Sequence, residues 1–185
     1  MRILGIDPGS VATGYGIVER VSDGERRLIH VAHGTIRPPR GAPIHQRLAV
    51  LHREIARVIA DHSPDQAVVE QVFVAASARS ALVLGQARGA ALAALGQAGL
   101  PVAELAAREI KKAIVGTGGA SKVQVQAMVT ELLGLETRPA SDAADALAGA
   151  ICHGNANRLA ALGVKPRGRS RGGRARSQLT VRRAP

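Results

Sequence analysis

Two acidic residues of this chain occupy positions where a carboxylate is costly unless a cation meets it, and two further acids could join them. Asp7 and Glu70 each end a short apolar run of the kind that forms a buried strand. A carboxylate desolvated at such a place needs a metal ion, a base or a phosphate-bound metal beside it. Asp142 and Asp145 are three residues apart, so on a helix they share one face.

Converging carboxylates would repel one another and raise one another's pKa, and divalent cations remove that penalty. Oxygen ligands without Cys or His favour Mg²⁺ or Mn²⁺. Two such ions about 4 Å apart can flank a scissile phosphate, one activating the attacking water and the other stabilising the leaving oxygen. Simpler interpretations stay open, since Glu70 could meet an arginine and the two aspartates could follow an N-cap at Ser141 in a first helical turn.

The elements that must position these residues follow from hydrophobic periodicity and turn residues. Strands are predicted at 2–7, 14–21, 26–37, 67–70 and 101–105, with a turn at 22–25, and helices at 44–61, 78–98, 107–115, 121–134 and 141–157. A three-strand antiparallel meander followed by strand–helix repeats predicts an α/β fold, a five-stranded mixed sheet with two parallel strands and helices on both faces. Crossover handedness allows the strands that end at Asp7 and Glu70 to be neighbours, which would bring both carboxylates to the same edge.

The positive charge of the chain is concentrated at its C-terminal end. The formal net charge is +11, and residues 158–185 hold nine Lys or Arg and no acidic residue, so the residues before them carry a net charge of only +2. We therefore divide the chain into a globular domain, 1–158, and a basic Arg/Gly-rich tail, 159–185, which we expect to be disordered because it is poor in apolar residues. Such a tail either binds a polyanion, usually nucleic acid, or is simply solvated.

Cysteine usage and hydropathy exclude several classes of protein. The single Cys152 excludes an internal disulfide and fits a small core residue of a helix. No Cys/His cluster has zinc spacing, no N-terminal signal segment is seen, and no apolar run reaches the roughly eighteen residues of a membrane span. These features predict a reduced, cytoplasmic protein without a membrane partner.

Five sequence blocks, in this order and spacing, form a highly specific combination. They are Gly5-Ile6-Asp7-Pro8-Gly9-Ser10, Thr13-Gly14-Tyr15-Gly16, Val69-Glu70-Gln71-Val72-Phe73, Leu84-Gly85-Gln86-Ala87-Arg88-Gly89 and Asp142-Ala143-Ala144-Asp145-Ala146-Leu147-Ala148. On these blocks the chain, from Ile3 to about His153, resembles the RuvC family of Holliday-junction resolvases. These are metal-dependent endodeoxyribonucleases with the ribonuclease H-like fold.

The resemblance implies a role for each matching residue. It identifies a metal-binding catalytic quartet, an aromatic residue against the bases at the junction centre and two phosphate-contacting lysines: Asp7, Glu70, Asp142 and Asp145; Phe73; Lys111 and Lys122. It also implies a Mg²⁺-dependent homodimer that makes paired symmetric nicks in a four-way junction, in DNA recombination and repair. The implied partners are the RuvA and RuvB branch-migration proteins.

Two features have alternative interpretations that the residues alone leave open. Phe73 follows a predicted strand, where a large apolar side chain could be either a wedge between bases or a core anchor. Helix 78–98 is rich in Ala and Gly, and small residues fit both close packing within the fold and a self-association face. A two-fold dimer would present two equivalent sites to a four-way junction, which is itself approximately two-fold symmetric.

Two other functions compete with a nuclease. The first block also resembles the phosphate loop of actin-like ATPases, but those need two such domains, and 185 residues are too few. A passive junction-binding protein is the second alternative. Four intact carboxylates and the scarcity of basic charge before the tail disfavour it, because a pure DNA binder would gain by replacing those acids.

Overall fold

The computed structural model describes residues 1–9, 11–21, 28–71 and 77–161. Its strands are β1 (Arg2–Asp7), β2 (Thr13–Arg20), β3 (Leu28–Ile36), β4 (Gln66–Gln71) and β5 (Val102–Ala106). Its helices are α1 (Ile44–His62), α2 (Ala78–Gln97), α3 (Ala107–Val115), α4 (Lys122–Leu133) and α5 (Ser141–Ala161). The predicted elements appear within two residues of their predicted ends, except that α5 continues four residues beyond 157. The predicted turn at 22–25 lies outside the described residues.

The five strands form one mixed sheet in the order β3-β2-β1-β4-β5. The β1–β2 and β2–β3 pairs are antiparallel, whereas the β1–β4 and β4–β5 pairs are parallel. This arrangement confirms the predicted meander followed by two parallel strands. Because β1 and β4 are parallel neighbours, their C-terminal ends meet at one edge of the sheet.

Alternation of side chains along the strands divides the core between the two faces of the sheet. On one face Leu4 and Ile6 pack with residues of α1 and α2. On the other face Ile3 and Val68 pack with residues of α3, α4 and α5. The prediction of helices on both faces is therefore confirmed. Both cores are almost entirely aliphatic, since the chain has only one Tyr, one Phe and no Trp.

Glycines on β1 and β2 allow α5 to lie directly against the sheet. A Cβ built at Gly5 would stand 2.0 Å from the carbonyl oxygen of Ala146, and one at Gly14 would stand 1.9 Å from that of Asp142. Both distances are far below a van der Waals contact, so any side chain there would push the helix outward. These glycines hold the first turns of α5 close to the ends of β1 and β2.

Cys152 lies on α5, is partly buried and is a free thiol. Burial raises the pKa of this thiol, with a smaller contribution from Glu109, so it stays protonated near neutral pH. Of the helices in the described part of the chain, none combines the length and the apolar character needed to cross a bilayer.

Candidate active site

Asp7 and Glu70 stand at the ends of neighbouring parallel strands. Ile6 of β1 pairs with Val69 of β4, so the residues that follow lie side by side. Alternate residues of these strands contribute to the core beneath α5, and the two carboxylates follow that alternation onto the same face. Both residues are partly buried. The structure therefore brings both carboxylates to one edge of the sheet, as the sequence analysis predicted.

Helix α5 adds the two aspartates. Asp142 lies in its first turn and Asp145 lies one turn further on, and both are partly buried. Gly14 pairs with Asp7 across the strands. Because Gly14 has no side chain, the backbone of Asp142 can lie directly against it. One close contact thus fixes how far the start of α5 lies from the end of β1.

The predicted N-cap at Ser141 is wrong. Ser141 is the first residue of α5, and the first helical hydrogen bond runs from the Ala144 N–H to the Ala140 carbonyl at 2.8 Å, which makes Ala140 the cap. The Ser141 hydroxyl is buried and has no hydrogen-bond partner among the described residues. Asp145 therefore lies beyond the first turn, and first-turn helix capping does not account for its presence.

Three of the four carboxylates and two lysines line one cavity of about 160 Å³, which we call the carboxylate cavity. Its charged residues are Asp7, Glu70, Lys111, Lys122 and Asp145, and its apolar wall consists of Ala107, Ile110 and Val125. The Lys122 ammonium lies 3.6 Å from a carboxylate oxygen of Asp145. The predicted quartet is thus divided, since three of its members line the cavity and Asp142 does not.

The pKa of Asp7 responds to the other three carboxylates of the predicted quartet. Burial raises the pKa of Asp7 to about 8, with further increases from Glu70, Asp145 and Asp142 and an opposing effect of Lys122. Burial also raises the pKa of Glu70, and Asp145 raises it further. Burial raises the pKa of Asp145 too, against the opposing Lys122. A site that disfavours its own ionised state in this way is stabilised by added positive charge.

The donor chemistry of this cavity fits a hard cation. The candidate metal ligands that line it are carboxylate oxygens, and neither Cys nor His lines it. Within residues 1–9, 11–21, 28–71 and 77–161, no three His, Cys, Asp or Glu side chains already stand in an arrangement that could hold one ion. Mutual repulsion among the carboxylates and the Lys122–Asp145 ion pair both oppose such an arrangement. The residue types fit a metal site, and the side chains would have to close around the ion.

The two lysines of the cavity come from two different helices. Lys122 is the first residue of α4, after the N-cap Ser121, whose hydroxyl accepts the Gln124 N–H at 3.3 Å. The Gln124 side chain in return accepts the Ser121 N–H at 2.8 Å. This reciprocal cap fixes the end of α4 that faces the cavity. Lys111 lies on α3 and is partly buried.

Some site residues were missed by the sequence, and one cannot be placed. Ile110 and Val125, which line the cavity, were not identified as site residues, although their helices were predicted. Their positions beside Lys111 and close to Lys122 were the available signal. Phe73 lies outside the described residues, so neither of its two interpretations is tested.

The sheet order, the helices on both faces and the acidic strand ends place the chain in the ribonuclease H-like fold class. The family model for "Crossover junction endodeoxyribonuclease RuvC" matches residues 3–153. The chain belongs to this family, as the sequence blocks indicated.

Individual relatives agree with this assignment. The crossover junction endodeoxyribonuclease RuvC of Alkalilimnicola ehrlichii is 57% identical over 152 residues, which are 82% of this chain and 90% of that protein. The structure of Thermus thermophilus RuvC in complex with Holliday junction substrate matches with a TM-score of 0.78 at 32% identity, over 89% of this chain and 97% of that one. The yeast mitochondrial Holliday junction resolvase has a TM-score of 0.60 at 15% identity, over 82% of this chain and 77% of that one, and supports the fold alone.

Proposed function

We propose that this chain is an endodeoxyribonuclease that resolves four-way DNA junctions by hydrolysing phosphodiesters at the carboxylate cavity. The observation that carries the proposal is the meeting of Asp7, Glu70 and Asp145 with two lysines in one cavity. Family membership supports junction DNA as the substrate, since a relative of the same fold is described with a Holliday junction bound. The predicted domain, 1–158, would contain every residue of this site.

The four carboxylates would hold the metal. Asp7, Glu70, Asp142 and Asp145 would bind Mg²⁺, or Mn²⁺ in its place, with two ions in each site. Bound ions would activate water and stabilise the charge on the leaving oxygen. Asp7 would have to be ionised to bind a cation, and the raised pKa of about 8 means that metal binding must displace a proton near neutral pH.

The lysines would orient the substrate. Lys111 and Lys122 carry the positive charge of the cavity wall, where DNA phosphate oxygens would approach. Lys122 contacts Asp145 in the structure, and a phosphate or a metal ion would compete for one side of that pair. Each lysine would therefore attract a phosphate to the cavity and offset the repulsion between that phosphate and the carboxylates.

Assembly would supply the second nick. A homodimer would place two cavities on opposed strands of a junction. The open surface of α2 is a candidate interface, because Gly85 and Gly89 have no atom within 4 Å of an added Cβ and Leu82 is 65% exposed. Its other side is already used, with Ala87 and Ala91 buried in the fold. Both predicted uses of the small residues are thus compatible with one helix.

Further roles rest on the resemblance and on composition. Phe73 would contact bases at the junction centre, and RuvA and RuvB would deliver the junction in the cytoplasm. The basic segment 159–185 would add salt-dependent affinity for DNA.

One incubation tests the proposal. Purified protein is mixed with a synthetic four-way junction or with a linear duplex of the same sequence, with and without Mg²⁺. Symmetric nicks in two opposed strands of the junction, seen only with Mg²⁺, are expected. Binding without nicks under every metal condition would support the passive junction binder instead.

A further inference from the structure

A second cavity lies on the other face of the sheet, where α1 meets the ends of β2 and β3. Its volume is about 590 Å³, and we call it the arginine cavity. Its lining includes three arginines, one acid and the only tyrosine of the chain: Arg37, Arg53, Arg57, Glu54 and Tyr15. Its volume falls within the range of cavities that take small organic groups, about 300–1,000 Å³.

The charge of this cavity is unbalanced. The Glu54 carboxylate lies 3.3 Å from Arg53 and 3.3 Å from Arg57, so one negative charge is shared by two guanidinium groups. Arg37 adds a third positive charge on the segment that follows β3. The surplus of two positive charges suits a dianion or two neighbouring monoanions. Guanidinium groups in particular match the geometry of phosphate oxygens.

The tyrosine ring is held at the wall by its strand neighbour. Tyr15 pairs across the strands with Gly34, and a Cβ at Gly34 would stand 2.7 Å from both Cε1 and the hydroxyl oxygen of the ring. Gly34 therefore makes room for the ring to lie over β3. An aromatic ring beside arginines is a combination that binds nucleotide units, through stacking and phosphate contacts.

The two cavities lie at the same end of the sheet. Asp7 pairs with Gly14, and Gly14 pairs with Thr35, which lines the arginine cavity. Two strand spacings separate the backbones of Asp7 and Thr35, which is roughly 10 Å. Along the axis of a duplex, this distance corresponds to about three base-pair steps. One bound strand can therefore reach from the carboxylate cavity around the end of the sheet.

We propose that the arginine cavity is a second phosphate site, which binds the backbone of junction DNA a few nucleotides from the cleaved position. This inference rests on the proposed function for its ligand, although the site itself shares no residue with the carboxylate cavity. Arg37 and Arg57 contact the phosphate, and Tyr15 contacts the sugar or base beside it. A free nucleotide shares the same phosphate ester chemistry and is the alternative source of the ligand.

The test uses Arg37→Gln and Arg57→Gln, with Arg40→Gln as the matched control. Arg40 is exposed three residues after Arg37 and does not line the cavity. Dissociation constants for a labelled four-way junction are measured in EDTA over a series of salt concentrations. Each cavity variant is expected to bind about 3–10-fold more weakly and to reduce the salt slope by about one, whereas the control stays within about twofold of the wild type.

Two results would overturn the proposal. If the cavity variants bind the junction as tightly as Arg40→Gln does, the arginine cavity does not bind junction DNA. Deoxyadenosine monophosphate that binds the wild type but not Arg37→Gln, with unchanged junction affinity, would assign the site to free nucleotides. Nicking of the junction by the wild type in Mg²⁺ is recorded in parallel, so failure of the proposed function is seen separately from failure of this site.

Discussion

The carboxylate cavity and the arginine cavity lie at one end of the same sheet but are built in opposite ways. In the first, glycine contacts press α5 onto the strands, and burial, with added repulsion from the neighbouring acids, raises the pKa of Asp7 to about 8. In the second, the side chains of Arg53 and Arg57 are 68% and 69% exposed and share one carboxylate. Crowded buried charges destabilise the fold and prepare a site for cations, whereas exposed arginines cost little and adapt to a strand.

Loss of one buried acid should have the largest effect on the reaction. Asp7→Asn removes a proposed metal ligand while keeping the size of the side chain. We expect the nicking rate of a four-way junction in Mg²⁺ to fall by at least about a thousandfold, because metal stabilisation of the reaction contributes several kcal/mol. Junction binding measured in EDTA should persist, since Asp7 contributes no positive charge to phosphate binding. Nicking at a comparable rate would exclude Asp7 from the metal site.

The close packing beneath α5 can be broken directly. In Gly14→Ala the new Cβ would stand 1.9 Å from the Asp142 carbonyl oxygen, so helix and strand must separate. We expect a loss of about 2–3 kcal/mol in the free energy of unfolding, measured with urea. The control is Gly96→Ala on α2, where an added Cβ meets nothing within 4 Å and should stabilise by roughly 0.5–1 kcal/mol. Equal stability of the two variants would show that this contact does not position α5.

The electrostatic cost of the carboxylate cavity should depend on pH. The pKa of Asp7 is raised in the folded state, from 3.8 to about 8, so folded Asp7 binds a proton that the unfolded chain has released. Stability is therefore lost as pH rises through this window, and the penalty is absent below about pH 4 and complete above about pH 8. In EDTA, Asp7→Asn should be more stable than the wild type by about 1–3 kcal/mol at pH 8.5, and the two should converge at pH 4.

Mg²⁺ provides the control for this pH effect. Added Mg²⁺ should stabilise the wild type at pH 8.5 and have a smaller effect on Asp7→Asn, because only the wild type keeps all four acids. A difference in stability that stayed constant from pH 4 to pH 8.5 would mean that Asp7 is not the group that titrates.

The sequence predicted the carboxylate cavity better than the arginine cavity, for a physical reason. Asp7 and Glu70 end strands whose pairing follows from crossover rules, so local patterns placed them together. Arg53 and Arg57 are one turn apart on α1, but Arg37 joins them only through the tertiary fold, which neither periodicity nor spacing encodes. Such residues look like an ordinary solvated surface until the fold is known.

The start of α5 shows a second limit of sequence reasoning. Serine prefers the N-cap, but Ser141 lies inside the helix and buries its hydroxyl. The close contact between Gly14 and Asp142 sets where the helix begins, and tertiary packing of this kind overrides a preference of about 1 kcal/mol. Helix periodicity likewise puts Asp142 and Asp145 on one face, yet only Asp145 lines the cavity.

The prediction with the smallest expected effect tests whether the two cavities have different functions, one in the reaction and one in binding. Lys122→Gln removes the cation 3.6 Å from Asp145 and should lower the single-turnover nicking rate at saturating protein by about tenfold. Arg37→Gln should act mainly on the dissociation constant, because its partner is a phosphate distant from the cleaved bond. The measurement is the ratio of rate loss to affinity loss for each variant with one labelled junction. If the ratio of rate loss to affinity loss is larger for Lys122→Gln than for Arg37→Gln, the carboxylate cavity is the reacting site and the arginine cavity is a binding site. Equal ratios would mean that the two cavities are parts of one continuous DNA surface.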